Sequence, residues 1–253
     1  MSDQIAAKPG RQPGGIYIVK GMGIEIPRFS IAMDEKGQLK ADMELQVVLD
    51  TTHHWFSIAV DHVVACDSAS KSLAPVWAGG NDEAALPLLE AEFSSGMQAA
   101  VATAVGMDAF YASVKEAIEI PPELTAAWRK NRTSRVAQIA EVFRRSFRMD
   151  DASYKQVVEI LKQTFRLRDL AVHPPARMQK AEWHPRLNVG IEWRFNVFRI
   201  ENVLVVSRVA FSLVDQLLQH PKPELEKLSK FSESSRARLE PVFGRWKNLF
   251  GSL

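Results

Sequence analysis

Arg168, Asp169 and His173 are the residues of this chain whose types and spacing most readily do chemistry. A guanidinium offers a planar fork of donors that grips a phosphate through two hydrogen bonds and stabilises charge growing on it. An imidazole moves protons near neutral pH. Asp169 and His173 stand four apart, neighbours on a helix surface, close enough for the carboxylate to orient the ring. The reaction best suited to these groups is cleavage of RNA by its own 2′-hydroxyl. His173 would carry protons to or from the reacting oxygens, and Arg168 would hold the phosphate.

The element that must position them is a helix within residues 154–175. Tyr154, Val158, Leu161, Phe165, Arg168 and Val172 step by three or four and so share one face. Arg168 interrupts that apolar stripe, where its charge needs an anion or acceptors. His173 precedes Pro174-Pro175, and a residue before proline is pushed out of the helical region, which puts the imidazole at a helix exit. The plainer alternative stays open: Arg168 closes a buried ion pair and His173 caps a helix C-terminus.

Arg168-Asp169, three further residues, His173 and Pro174 resemble the Arg-polar-x-x-x-His signature of the HEPN superfamily of compact helical domains. The resemblance spans about residues 83–220, taking in the segment 107–114 before the motif and the apolar helix 194–219 after it. It implies a metal-independent endoribonuclease acting on single-stranded RNA as a homodimer, with the arginine and histidine lining a shared cleft. It also implies a setting in toxin–antitoxin or defence systems, with an antitoxin or other protein partner. Some members keep the fold without the activity, so a non-catalytic dimerisation or binding module, with Arg168 and Asp169 structural, is the alternative.

Composition frames both readings. Of 253 residues, 46% are hydrophobic and 25% charged, ordinary for a globular chain with ample core. The single cysteine, Cys66, excludes an internal disulfide and a cysteine-based metal cage, which suits a reducing, cytoplasmic setting. No stretch reads as a stable membrane span: residues 203–218 are the most apolar but contain Arg208 and Asp215. The net charge of +2 conceals a division, since residues 1–120 carry 8 Lys and Arg against 16 Asp and Glu, and the rest carry 24 against 14. A basic back half either faces the acidic front half or meets a polyanion. Arg135, Arg144, Arg145 and Arg148 lie off the core stripe of their helical segment. They read as a phosphate-tracking, RNA-binding surface or as a solvated face with ion pairs.

The expected fold class is α+β, a small N-terminal antiparallel β-meander followed by a HEPN-like α-helical bundle. Residues 1–15, polar and rich in Gly and Pro, read as a tail. Residues 16–66 read as a sheet subdomain of about four strands: 16–19, 24–33 with Pro27 at an edge or bulge, 43–49, and 55–65 by alternation of Ile58, Val60, His62 and Val64. His53, His54 and His62 lack the acidic or further histidine partners of a metal site, and no metal or other cofactor is expected. Residues 66–81 read as an irregular crossing. A helical domain then occupies 82–220, capped by Asn81 or Asp82 and stopped at Pro121-Pro122, with Ser134 capping a later helix. Residues 174–189 read as a long loop beside the motif, and 192–219 as one helix apolar on nearly all sides. In the tail 221–253, Leu239, Phe243, Trp246 and Phe250 share a helical face and should dock onto the body.

Overall fold

Every third or fourth residue from Phe56 to Leu73 is apolar or small, and this pattern outlasts the shorter alternation read as a strand. The computed structural model, which describes residues 18–33, 36–173 and 178–253, makes Thr52–Ala78 one helix, α1. Its buried side chains include Phe56, Val60, Val63, Cys66 and Leu73. The strand expected over 55–65 and the irregular crossing expected over 66–81 are therefore both corrected to helix. The physical reason is that periods of 2 and 3.6 share their i and i+4 positions, so five or six residues satisfy either. A turn at Gly79 to Asn81, with Gly80 at φ +71°, reverses the chain. Asn81 then caps α2 (Asp82–Ala117), its side chain accepting the Ala84 N–H at 3.1 Å.

The antiparallel α1–α2 pair is the spine of the helical body. Its close approach depends on glycine, since a Cβ on Gly106 would collide with the Phe56 ring; Gly96 likewise lets the later chain at Phe198 lie against α2, where a Cβ would strike the Phe198 carbonyl oxygen. Pro121-Pro122 ends α2 as expected and starts α3 (Pro122–Lys130). Ser134 caps α4 (Arg135–Ser146) by accepting the Ala137 N–H at 3.3 Å. Asp150 likewise caps α5 (Asp151–Val172), accepting the Ser153 N–H at 2.8 Å.

After α5 the segment expected as loop contains a short hairpin, β3 (Glu182–His184) with β4 (Val189–Ile191). The helix expected over 192–219 is interrupted at Phe198-Arg199, giving α6 (Trp193–Val197) and α7 (Ile200–Gln219). The last helix, α8 (Glu226–Phe250), docks as its apolar face requires. Trp246 is fully buried, edge-on to Phe211 at 5.0 Å, in a core that also holds Phe56, Phe110, Phe143 and Phe243. Asp50 ties three helices together: it accepts from Thr52 Oγ1 at 2.6 Å, Ser113 Oγ at 3.3 Å and Arg238 Nη2 at 2.9 Å.

The chain divides into two units, Met1–Leu49 and Asp50–Leu253. Within the first, the described structure is one antiparallel ribbon, β1 (Met22–Met33) with β2 (Leu39–Leu49). The expected meander of four strands across 16–66 is thus two strands among the described residues, ending at Leu49; Ile16 and Tyr17 and the tail 1–15 lie outside them. A one-residue shift between Glu25 and Arg28 marks the bulge that Pro27 suggested. It keeps the faces in phase, so Ile24 pairs with Val47, Phe29 with Met43 and Met33 with Leu39 on one side. Glu25, Arg28, Asp42 and Glu44 share the other, where Arg28 meets Asp42 at 3.1 Å. The whole is an α+β chain with a small antiparallel sheet ahead of a helical bundle. No helix of the described residues is long and apolar enough to cross a membrane.

Candidate functional site

Where α4 and α5 lie side by side, Val136, Phe165 and Leu170 form an apolar floor between them. Lys162, Arg166, Asp169 and His173 rise from α5 along the same opening, a broad groove of about 650 Å³. The spacing 162, 165, 166, 169, 170, 173 is one face of a helix, so α5 and its C-terminal end supply all the charges and, with Val136 of α4, the floor. Phe165 and Leu161 bury toward the core and fix the helix's rotation about its axis. His173 is the residue just past the last turn. Its backbone N–H still donates to the Asp169 carbonyl at 2.8 Å while its φ and ψ, −126° and 57°, have left the helix. The imidazole is exposed at the groove's end. Pro174, to which the sequence assigns the helix stop, lies outside the described residues.

Arg168 sits at the groove's shoulder. Its Nε and Nη2 both donate to Asp169 Oδ1, at 3.0 and 2.7 Å, and its guanidinium lies 4.7 Å from the centre of the Phe165 ring. The pair is half-exposed, its arginine side chain 30% accessible. The carboxylate expected to orient His173 is therefore engaged by Arg168, and Asp169 makes no side-chain hydrogen bond to the imidazole. Arg166 makes no ion pair among the described residues, and Lys162 only reaches Glu159 at 4.0 Å. The groove thus presents two weakly engaged cations and an imidazole, with one carboxylate neutralised by its neighbour. Such a surface can hold an anion through Lys162 and Arg166 and leave His173 to exchange protons with it.

The other arginines fall elsewhere. Arg135 donates to Asp108 Oδ1 at 2.8 Å and stacks 4.3 Å from the Tyr111 ring. Arg144 and Arg145 clamp Glu141 at 2.9 and 2.7 Å. Burial would push the Glu141 carboxyl up, but hydrogen bonds and charge from the two arginines outweigh it and hold it below the usual range. Arg148 lines a separate, smaller cleft of about 200 Å³ between α5 and α7, with Gln156, Ser212, Gln216 and His220. These four do not converge on the α4–α5 groove. His53 is buried and His54 exposed at the start of α1, with their rings 4.0 Å apart. No group of three or more His, Cys, Asp or Glu among the described residues is placed to hold a metal ion.

Sequence reasoning missed two sets of residues. Lys162 and Arg166 were legible, since they stand seven and three residues before Asp169 on its own helix face. The second set carried no sequence signal. Glu92 of α2, with a side chain 2% exposed, accepts from Arg186 Nη2 at 2.5 Å and from the Ile200 N–H at 3.1 Å. Arg186 also donates to Ser70 and approaches Glu201 at 3.5 Å. Beside them the fully buried His184 accepts the Leu187 N–H on Nδ1 at 3.2 Å, so its Nε2 carries the proton. Burial, and then the charges of Arg186 and Arg199, push the His184 pKa down. This network pins the β3–β4 hairpin to α1 and α2.

No family model matches this chain, and no curated protein or solved structure matches it either.

Proposed function

We propose that the chain is a HEPN-like, metal-independent endoribonuclease whose α4–α5 groove takes single-stranded RNA and whose His173 handles the proton. The observation that carries this reading is the exposed imidazole at the end of α5, in one groove with Lys162, Arg166 and an apolar floor. Phosphates would be met by Lys162 and Arg166, and bases by Val136, Phe165 and Leu170. In the reaction the 2′-hydroxyl loses its proton to an imidazole as its oxygen attacks phosphorus. The 5′-oxygen leaves with a proton, yielding a 2′,3′-cyclic phosphate and a 5′-hydroxyl. Asp169 engages only Nε and Nη2 of Arg168, so Nη1 would be the donor left for the phosphate. A second copy of the chain would bring a second imidazole for the opposite proton transfer.

A second reading rests on the same ion pair: Arg168, doubly bonded to Asp169 and lying on Phe165, is a structural clasp in a non-catalytic HEPN-like module that binds a protein partner. The test is incubation of the folded chain with unstructured RNA in the presence of a chelator. The nuclease reading expects cyclic-phosphate ends, with His173→Ala slowing cleavage about 10²- to 10⁴-fold. It expects Arg166→Ala to raise KM with little change in kcat. Intact RNA across a range of salt, together with an Arg168→Ala protein that melts early, would leave the clasp reading in its place.

A further inference from the structure

We infer that the β1–β2 ribbon is a self-association module, its apolar face covered by the same face of a second copy of this chain. The inference stands apart from the RNA reading, since none of its residues belongs to the α4–α5 groove. The ribbon has ten paired positions and no third strand among the described residues. A lone two-stranded ribbon is marginal in water, and a hydrophobic face needs a covering layer to stabilise it.

This face is unusually complete. Ile24, Phe29, Ile31, Leu39, Met43 and Val47 belong to a set of nine large apolar side chains on it that are between 40% and 73% exposed. Such a set leaves on the order of 1,000 Å² of apolar surface in water, against the ~800 Å² per partner that a stable interface buries. It also exceeds the largest patch usual on a monomer, about 300–600 Å².

The chemistry of the two faces selects the occupant. The apolar face carries no charge, so it offers no code for a charged or mixed partner and is complementary to itself under a twofold axis. The reverse face, with Glu25, Asp42 and Glu44 against Arg28 and Lys40, is charged and stays in water. Two such ribbons laid face to face, ~10 Å apart and turned by about 30°, form a four-stranded sandwich with both apolar faces inside.

The experiment measures the mass of the full chain by sedimentation equilibrium over micromolar concentrations. Two variants accompany the native chain. The double variant Phe29→Glu with Met43→Lys puts opposite charges on directly paired residues, so the ribbon can keep its register while losing its apolar face. Ser30→Lys, on the reverse face beside Asp42, is the control. The native chain and the control should sediment as dimers of the 28.4 kDa chain. The double variant should weaken dimerisation at least tenfold with unchanged helical circular dichroism. A monomeric native chain, or a double variant that dimerises as tightly as the native chain, overturns the proposal. So does a native chain that floats with neutral phosphatidylcholine vesicles and loses this in the double variant, which would assign the face to lipid.

Discussion

Arg186→Ala should destabilise the helical body more than Glu92→Ala, although the two residues form a single ion pair. The Glu92 side chain is 2% exposed, while that of Arg186 is 30% exposed. Removing the arginine strands a carboxylate in the interior with only the Ile200 N–H, at 3.1 Å, as donor. Breaking a buried pair this way costs about 3–5 kcal/mol; because one end reaches solvent and is partly screened, the lower end, about 3 kcal/mol, applies. Removing the glutamate leaves a guanidinium that keeps water and Glu201, 3.5 Å away. The residual cost is an unpaired backbone N–H, about 1–2 kcal/mol. At roughly 2–4 °C of melting temperature per kcal/mol for a body of this size, Arg186→Ala should lower Tm by about 6–12 °C and Glu92→Ala by about 2–8 °C, one to two thirds as much. Thermal melts followed by circular dichroism at 222 nm read this directly. Equal shifts, the reverse order, or an Arg186→Ala loss below about 1 kcal/mol would refute the assignment of Glu92 as the buried end.

Two further outcomes follow from the same network. His184, neutral and buried, has a folded pKa pushed below its ordinary value of 6.5 by burial and by Arg186 and Arg199. The unfolded chain therefore binds the extra proton first: stability is full above about pH 6.5 and falls as the pH drops from there toward the depressed folded value. Urea midpoints at successive pH values should show this slope in the native chain. It should be reduced in His184→Asn, whose Oδ1 can still accept the Leu187 N–H. Cys66, fully buried beside the Glu92 carbonyl, has its thiol pushed up to about 12, first by burial and then by Glu92. Iodoacetamide at pH 8 should leave it unmodified in the native chain and alkylate it after denaturation, as mass spectrometry will show.

What the sequence determined by itself is whatever depends on residues within a turn of one another. Asn81, Pro122 and Ser134 act on backbone groups within four positions, so the starts of α2, α3 and α4 were readable without coordinates. The face of α5 that carries Lys162, Arg166, Asp169 and His173 was equally local, and so was the exit of His173 from the helix. Local reading failed where two periods compete. From 55 to 65 the alternating set Ile58, Val60, His62 and Val64 shares only Val60 with the buried helical face of Phe56, Ala59, Val60 and Val63, and the packing of Phe56 on Gly106 and of Leu73 near Ala85 decided for helix.

Tertiary structure alone decided which charges were free. Arg135 looks like Arg166 in sequence, yet Asp108, 27 positions away, takes it out of play as an anion ligand, whereas Arg144 and Arg145 are held within one turn by Glu141, a local pairing. Arg186 found Glu92 across 94 positions of chain, a pairing with no period or motif to announce it. A charge is satisfied by whatever lies within about 4 Å of it. For a folded chain that neighbourhood is set by packing, which brings together residues that the order of the chain keeps far apart.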